Sequence, residues 1–349
     1  GCLAKNYRGL RSASYGTPRD WVLGLTAMLP GLGSFKCGGR TVKNVSGYDL
    51  VRLLVGAHGT LGVITEATLR LFPRPESSST LTFNFGSFSA AIEFGRELLN
   101  HNLLTPSSLL CHFPCTEKKK GSGNIPLRGY NLPGLFLILE GQKSDIQRQL
   151  SEIEQIRKDF RDLDTGLPVT IKQWEKEEEK SVWDAWKRTL PDYLNTHASE
   201  EWCFLVKAGC LVVDLEETIR EIVKLINNHS FGCCVLADLP AGIAWIAVSC
   251  ATGEASEIKK RVPDQEKYLD LSASLTAFQE EMHKLILPQT RFISIQPWRV
   301  TDGNINSRVP FDLPHIPTFQ WVPSDKLELM TRIKSSFDPD WVLNPDRFP

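Results

Sequence analysis

Apolar residues recur along this chain in two rhythms. Runs of strand length span Leu81 to Phe88, Leu109 to Phe113 and Leu135 to Glu140, and runs this short predict strands. Between and after them, Ala90 to Leu99 and Asp145 to Phe160 read as helices, the second with Ile146, Leu150, Ile153 and Ile156 at helical spacing. A second series, with strand 202–206, helix 215–227 and strands 233–237 and 243–249, repeats the order. The repetition predicts one large antiparallel sheet with helices on one face.

The flanks follow other patterns. Residues 1 to about 76 alternate short apolar runs with turn signals and end at Pro73-Arg74-Pro75, a natural boundary. Trp174 to Arg188 is rich in Glu and Lys, and Trp183 and Trp186 share one helix face with the charges opposite. Those aromatics read as core packing, with the lining of a substrate entrance as the alternative. Ser294 to Thr318 is proline-rich and irregular and leads into a closing helix.

Two glycine-punctuated segments carry the chemistry. Gly38-Gly39-Arg40-Thr41-Val42-Lys43-Asn44-Val45-Ser46-Gly47-Tyr48-Asp49-Leu50 is followed by Gly56-Ala57-His58-Gly59-Thr60-Leu61-Gly62-Val63-Ile64-Thr65-Glu66. A tight glycine turn feeding a β-branched run lets main-chain N–H and C=O groups at the strand's start face a planar ligand. Such donors stabilise the negative charge of a reduced flavin while apolar neighbours exclude water. A plain hairpin turn is the alternative for an isolated G-T-L-G.

With their flanks, residues 1 to 75 resemble the second half of the FAD-binding domain of the vanillyl-alcohol oxidase (PCMH) type, and most of all the FAD-binding subunits of bacterial glycolate oxidases. The resemblance is carried by Gly1, Leu3, Ala4, Asn6 and Gly9, then Tyr15-Gly16, Arg19-Asp20 and Val22-Leu23-Gly24, the two segments above, and Pro73-Arg74-Pro75. Leu327 to Phe348 is similar to the family's terminal helix and its F-D-P-x-G-x-L-N-P-G-R-F tail. Lys5 stands where the family usually has Thr, and Trp341 and Asp346 replace the two tail glycines.

The resemblance implies an α+β chain: residues 1–76 as the second half of a PCMH-type FAD-binding domain, 77–322 as a ferredoxin-like antiparallel cap, and 323–349 as a helix and tail returning to the FAD lobe. It implies FAD as cofactor, with contacts from Asn6, Gly9, Tyr15, Gly16 and Asp20 on one side and Gly59, Gly62, Val63 and Ile64 on the other. It further implies 2-hydroxy-acid oxidation, with electrons passed to a catalytic flavoprotein subunit and an iron–sulfur subunit. The family's N-terminal subdomain, with its pyrophosphate-binding glycine loop, has no counterpart before Gly1, so the chain reads as an N-terminally truncated fragment or one product of a split reading frame. A flavin-free scaffold subunit and an independent FAD-linked oxidase drawing a cation from Arg299 or Arg308 stay open. No E-H-G motif precedes the terminal helix, His315 stands alone, and no catalytic base is named.

Composition narrows the remainder. The 349 residues, 42% hydrophobic, suffice for a sizeable core, and a net charge of −1 gives no electrostatic case for nucleic acid or an anionic membrane surface. Lys118-Lys119-Lys120 beside Gly121-Ser122-Gly123 reads as a solvated loop. No apolar run reaches the length of a membrane span, and no signal pattern is visible. Nine cysteines, an odd number, suggest reduced thiols in a cytoplasmic setting. Cys111-His112-Phe113-Pro114-Cys115 lacks the second pair a metal site needs, and Cys233-Cys234 on a strand point to opposite faces.

Overall fold

The structure, a computed structural model, describes residues 1–9, 11–41, 47–113, 132–161, 169–197, 202–229, 231–250, 277–278, 280–282, 290–298, 319–320 and 324–344. Val42 to Ser46, Cys115, Lys118 to Gly123, Arg299, Arg308, His315 and Asp346 lie outside the described residues.

Two short helices, α1 (Ser12–Tyr15) and α2 (Pro18–Trp21), lead into a three-stranded antiparallel sheet of β1 (Val22–Leu29), β2 (Gly33–Gly38) and β3 (Val63–Leu69), in the order β2-β1-β3. Helix α3 (Leu50–Leu54), capped by the Asp49 carboxylate accepting from the Arg52 amide, backs this sheet. Val22, Leu25, Ala27, Val51, Leu54, Val55 and Leu61 form its core.

The second sheet has nine strands, all antiparallel. It comprises β4 (Ser77–Asn84), β5 (Ser108–Phe113), β6 (Gly134–Gly141), β7 (Thr170–Trp174), β8 (Trp202–Cys210), β9 (Gly232–Asp238), β10 (Ile243–Cys250), β11 (Thr290–Trp298) and β12 (Phe319–Gln320). Their order is β12-β11-β8-β10-β9-β5-β6-β4-β7. Helices α4 (Phe88–Asn100) and α5 (Lys143–Asp159) connect β4 to β5 and β6 to β7, and α7 (Leu215–Asn228) connects β8 to β9; α6 (Lys176–His197) lies between β7 and β8. The first half of the sheet is therefore a split βαββαβ unit, the second repeats its opening βαββ order, and the two halves join where β5 pairs with β9. The α+β, ferredoxin-like architecture matches the expectation, and the strand and helix spans agree to within a few residues except at Leu81 to Phe88, where the strand is Ser77–Asn84 and α4 already begins at Phe88.

One expectation is corrected. Helices cover both faces of this sheet, not one. Leu109, Cys111, Leu135, Leu137 and Val235 point into a core with α4, α5 and α7, where Phe83, Phe85, Phe94 and Phe160 pack ring against ring. Their neighbours Leu110, Phe136, Ile138, Cys234 and Leu236 point the other way, against Val182, Trp186, Leu190 and Tyr193 of α6. The central strands are apolar at successive positions because both faces are buried, a pattern that a one-sided sheet would not need. Trp186 stacks on Phe136 with centroids 5.0 Å apart, and Trp183 and Trp174 donate their indole N–H groups to Thr80 and Thr82. Cys233 and Cys234 fall on opposite faces, as do Cys111 and His112.

The β9–β10 turn tests how tightly this sheet is built. Gly242 has φ +61°, and a Cβ there would sit 2.2 Å from the Cys210 carbonyl oxygen. Gly242→Ala is expected to destabilise the chain by more than ~2 kcal/mol, read as a lower midpoint in urea with an unchanged m-value.

Candidate functional site

The N-terminal residues form a turn strapped to the end of α3. Amides of Lys5, Asn6 and Tyr7 donate to the carbonyls of Gly1, Leu3 and Cys2, while Gly56 and His58 amides donate to Leu3 and Ala4. Beside this turn lies a groove of about 460 Å³ lined by Gly1, Leu3, Ala4, Gly59, Gly62, the consecutive residues Val63 to Ala67, and Val342 to Asn344. Consecutive lining residues mark the edge of a strand rather than a face. Among the described residues β3 pairs with β1 alone, so alternate N–H and C=O groups along Val63 to Ala67 point away from the sheet toward the groove.

The groove's shape depends on a buried charge. Helix α8 (Ser324–Phe337) lays Ile333 and Phe337 on the core of the three-stranded sheet. Between them Lys334, fully buried, donates from Nζ to the Thr60 carbonyl at 2.7 Å, the Leu343 carbonyl at 2.9 Å and the Asp338 carboxylate. Asp338, also fully buried, further accepts from the amides of Leu343 at 2.8 Å and Val342 at 3.1 Å. Burial pushes the Asp338 carboxyl upward, but the Lys334 ammonium and the two amides outweigh it and hold it below its ordinary value. One cation thus ties the glycine turn, the helix and the tail together.

The tail reaches back along the same line. The Asn344 side-chain amide donates to the His58 carbonyl at 2.8 Å. His58, Gly59, Trp341 and Asn344 have φ of +53°, +75°, +53° and +43°, and the left-handed value at 341 explains why a glycine suits that position in the resembling family. Trp341 holds the conformation with its amide on the Asp338 carbonyl at 3.1 Å and its indole N–H on Ser335 at 3.3 Å.

Of the nine residues singled out from sequence, Gly59, Gly62, Val63 and Ile64 line the groove together. The glycines' reasons are internal. A Cβ on Gly62 would meet Leu29 at 2.9 Å, and one on Gly59 would meet the Asn344 amide nitrogen at 3.0 Å. Asn6, Gly16 and Asp20 lie outside it, around α2: Asn6 Oδ1 accepts from the Arg19 amide, Asp20 accepts from the Thr17 amide and hydroxyl at 2.7 and 2.8 Å, and a Cβ on Gly16 would strike Asp20. The Thr17 amide is the main reason the Asp20 carboxyl sits below its ordinary value. Gly9 is exposed, and Tyr15 stands edge-on to Phe72 and near Glu140, with burial and that carboxylate raising its phenol. The sequence reading missed Lys334 and Asn344. Asp338 and Asn344 stand in the tail motif, which was their only signal.

Residues 320–348 match the family model "FAD linked oxidases, C-terminal domain". An uncharacterised FAD-linked oxidoreductase of Mycobacterium tuberculosis is 39% identical over 359 residues, covering 99% of this chain and 68% of that protein. The chain belongs to the FAD-linked oxidoreductases. Glycolate oxidase subunit GlcD of Bacillus subtilis is 31% identical over 179 residues, 51% of this chain and 37% of that subunit. Subunit GlcE of Escherichia coli is 40% identical over 114 residues, 32% of this chain and 31% of that subunit. Matches to further curated relatives, D-lactate dehydrogenases, span 23% and 34% of their length. A solved structure of alkyldihydroxyacetonephosphate synthase superposes on 98% of this chain and 56% of that one with a TM-score of 0.59 at 14% identity, a likeness of fold.

In this FAD-linked oxidoreductase, Lys334→Met leaves Asp338 buried without its cation and is expected to cost roughly 3 kcal/mol, with Asp338→Leu added in the same chain recovering part of the loss. Because the folded Asp338 carboxyl is held low, its stabilisation is present above the unfolded value of about 3.9 and is lost as pH falls through the folded one. Acid unfolding of the double variant is therefore expected to be less steep than that of the natural chain, followed by circular dichroism.

Proposed function

We propose that this chain is the flavin-cradling subunit of an FAD-linked oxidoreductase that oxidises a small 2-hydroxy acid and passes the electrons to partner subunits. The observation that carries the reading is the groove beside β3, where a strand edge with no strand partner among the described residues offers main-chain donors and acceptors to a flat ligand that has both along its rim. Small residues at the mouth, Gly1 and Ala4, allow close approach. Bound FAD supplies a two-electron acceptor.

The chain's own residues hold and shield it. Outward amides from Val63 to Ala67 would bind the ring's polar rim, and Leu3, Val342 and Leu343 would exclude water from it. Gly59 and Gly62 keep the turn and strand in place, while Asn6, Gly9, Tyr15, Gly16 and Asp20 would contact FAD from the other side, beyond the groove. The division into a flavin lobe over 1–76, a cap over 77–322 and a returning helix and tail over 323–349 fits the packing of α8 on the small sheet. The names of the GlcD and GlcE relatives support a multi-subunit assembly, with a catalytic flavoprotein and an iron–sulfur subunit as partners. The proposed setting is cytoplasmic, and no described helix is long and apolar enough to cross a membrane.

Purified chain mixed with FAD and desalted is expected to keep a flavin absorption spectrum, and Gly59→Val, which forces a branched side chain onto a left-handed backbone, is expected to lower flavin affinity at least tenfold. Natural chain that stays colourless at excess FAD would leave only a scaffold role. Flavin bleaching by glycolate without any partner would replace the subunit reading with an independent oxidase.

A further inference from the structure

One wall of the groove is the edge of β3 with the glycine turn before it, and another is the tail from Val342 to Asn344. The tail belongs to neither sheet, and Trp341 and Asn344 sit on left-handed backbone at φ +53° and +43°. Such backbone disfavours an L side chain, so the tail's docked path has to be held from outside. Two side chains hold it against the turn. Asn344 donates to the His58 carbonyl at 2.8 Å, and Lys334 bonds both walls at once.

Lys334 Nζ lies 2.7 Å from the Thr60 carbonyl oxygen and 2.9 Å from that of Leu343. The two oxygens can be no further apart than those two lengths laid end to end. Leu343 lines the groove itself, and Thr60 stands between the lining residues Gly59 and Gly62, so one buried atom fixes the gap between the walls. Asp338 completes the clasp, accepting from Lys334 and from the amides of the groove residues Val342 and Leu343. Little slack remains, since a Cβ on Gly59 would stand 3.0 Å from the Asn344 amide nitrogen. A charge effect on the ligand is the weaker account, because Lys334 and Asp338 are both fully buried and cancel as a pair. What reaches the groove is the position of its walls.

We propose that Lys334 is a positioning residue for the cofactor: through the Asp338 clasp it sets the width of the groove, so that FAD binds the clasped tail and, once bound, tightens the clasp in return. The inference rests on the proposed function in taking FAD as the ligand. A groove that grips a flat ring from two sides needs its walls held to about 0.5 Å, and a preformed gap spares the ligand the cost of ordering the tail. Linkage makes the effect reciprocal: whatever the clasp adds to FAD affinity, FAD adds to the clasp.

The test pairs fluorescence titration of the whole chain with FAD and amide hydrogen exchange, read by peptide mass spectrometry with and without FAD. Lys334→Met is expected to weaken FAD binding at least tenfold. Lys334→Met combined with Asp338→Leu is expected to regain part of the urea midpoint while its FAD affinity stays at least tenfold below that of the natural chain; a merely structural pair would return affinity along with stability. In the natural chain FAD is expected to slow exchange at least tenfold in the peptide carrying Val342 and Leu343. Those two amides donate to Asp338, so their exchange reports the clasp itself. Natural affinity in either variant, affinity recovered together with stability, or equal exchange with and without FAD would each overturn the positioning role. Should the variants fail to fold, exchange in the natural chain decides alone. A natural chain that takes FAD without protecting those amides refutes the positioning role only, and one that never takes FAD refutes the flavin reading and the positioning role together.

Discussion

The groove depends on one buried ammonium. Lys334 is withdrawn from water at the junction of a helix, a glycine turn and a tail, and each of these supplies one of its acceptors. A charge in that position is tolerable only while all three partners are in place, so the pair imposes an all-or-none condition on the local structure. The Thr60 carbonyl cannot drift without leaving the cation short of an acceptor, and Thr60 lies between the two glycines at the groove's wall. Asp338 passes the constraint on through two tail amides. A region built from short turns and left-handed residues thereby acquires a fixed shape.

A second constraint comes from the nine-stranded sheet. Both of its faces are covered, one by α4, α5 and α7 and the other by α6 and, beyond the helix, by the N-terminal turn. The turn therefore serves two surfaces, walling the groove with Leu3 and Ala4 and pinning Arg8, Arg11 and Ser12 to sheet carboxylates. Groove and sheet face are coupled through a few residues of chain.

Much of this was legible in the sequence, for identifiable reasons. Strands such as Leu135 to Glu140 and helices such as Asp145 to Phe160 declare themselves by local period, and local period is what a single sequence preserves best. The glycine turn into Val63 and Ile64 was readable because β-branched residues after glycine have few other uses. The second covered face was not, because a tryptophan pair on a helix reads the same whether it meets a sheet or closes a cleft. Lys334 was illegible for a deeper reason. A lysine in a helix's last turn ordinarily complements the helix dipole from solvent, and only the return of residues 341–344, together with a turn 274 positions away, buries it. Asn6 and Asp20 show the converse, since their motif was recognised while their polar atoms turned out to serve neighbouring backbone.

The join between the two halves of the large sheet has a mechanical meaning. Strands β5 and β9 meet through four residue pairs, whereas β4 and β6 meet through eight. Across the same line, Arg96 on α4 grips Glu216 on α7 at 2.7 Å, and Arg220 reaches Ser89. A tensile load drawn through the molecule would concentrate at that narrow weld, and Asp238 closes one end of it. Rupture there would part the two halves of the sheet like halves of a shell, one keeping a five-stranded weave and the other a four-stranded one.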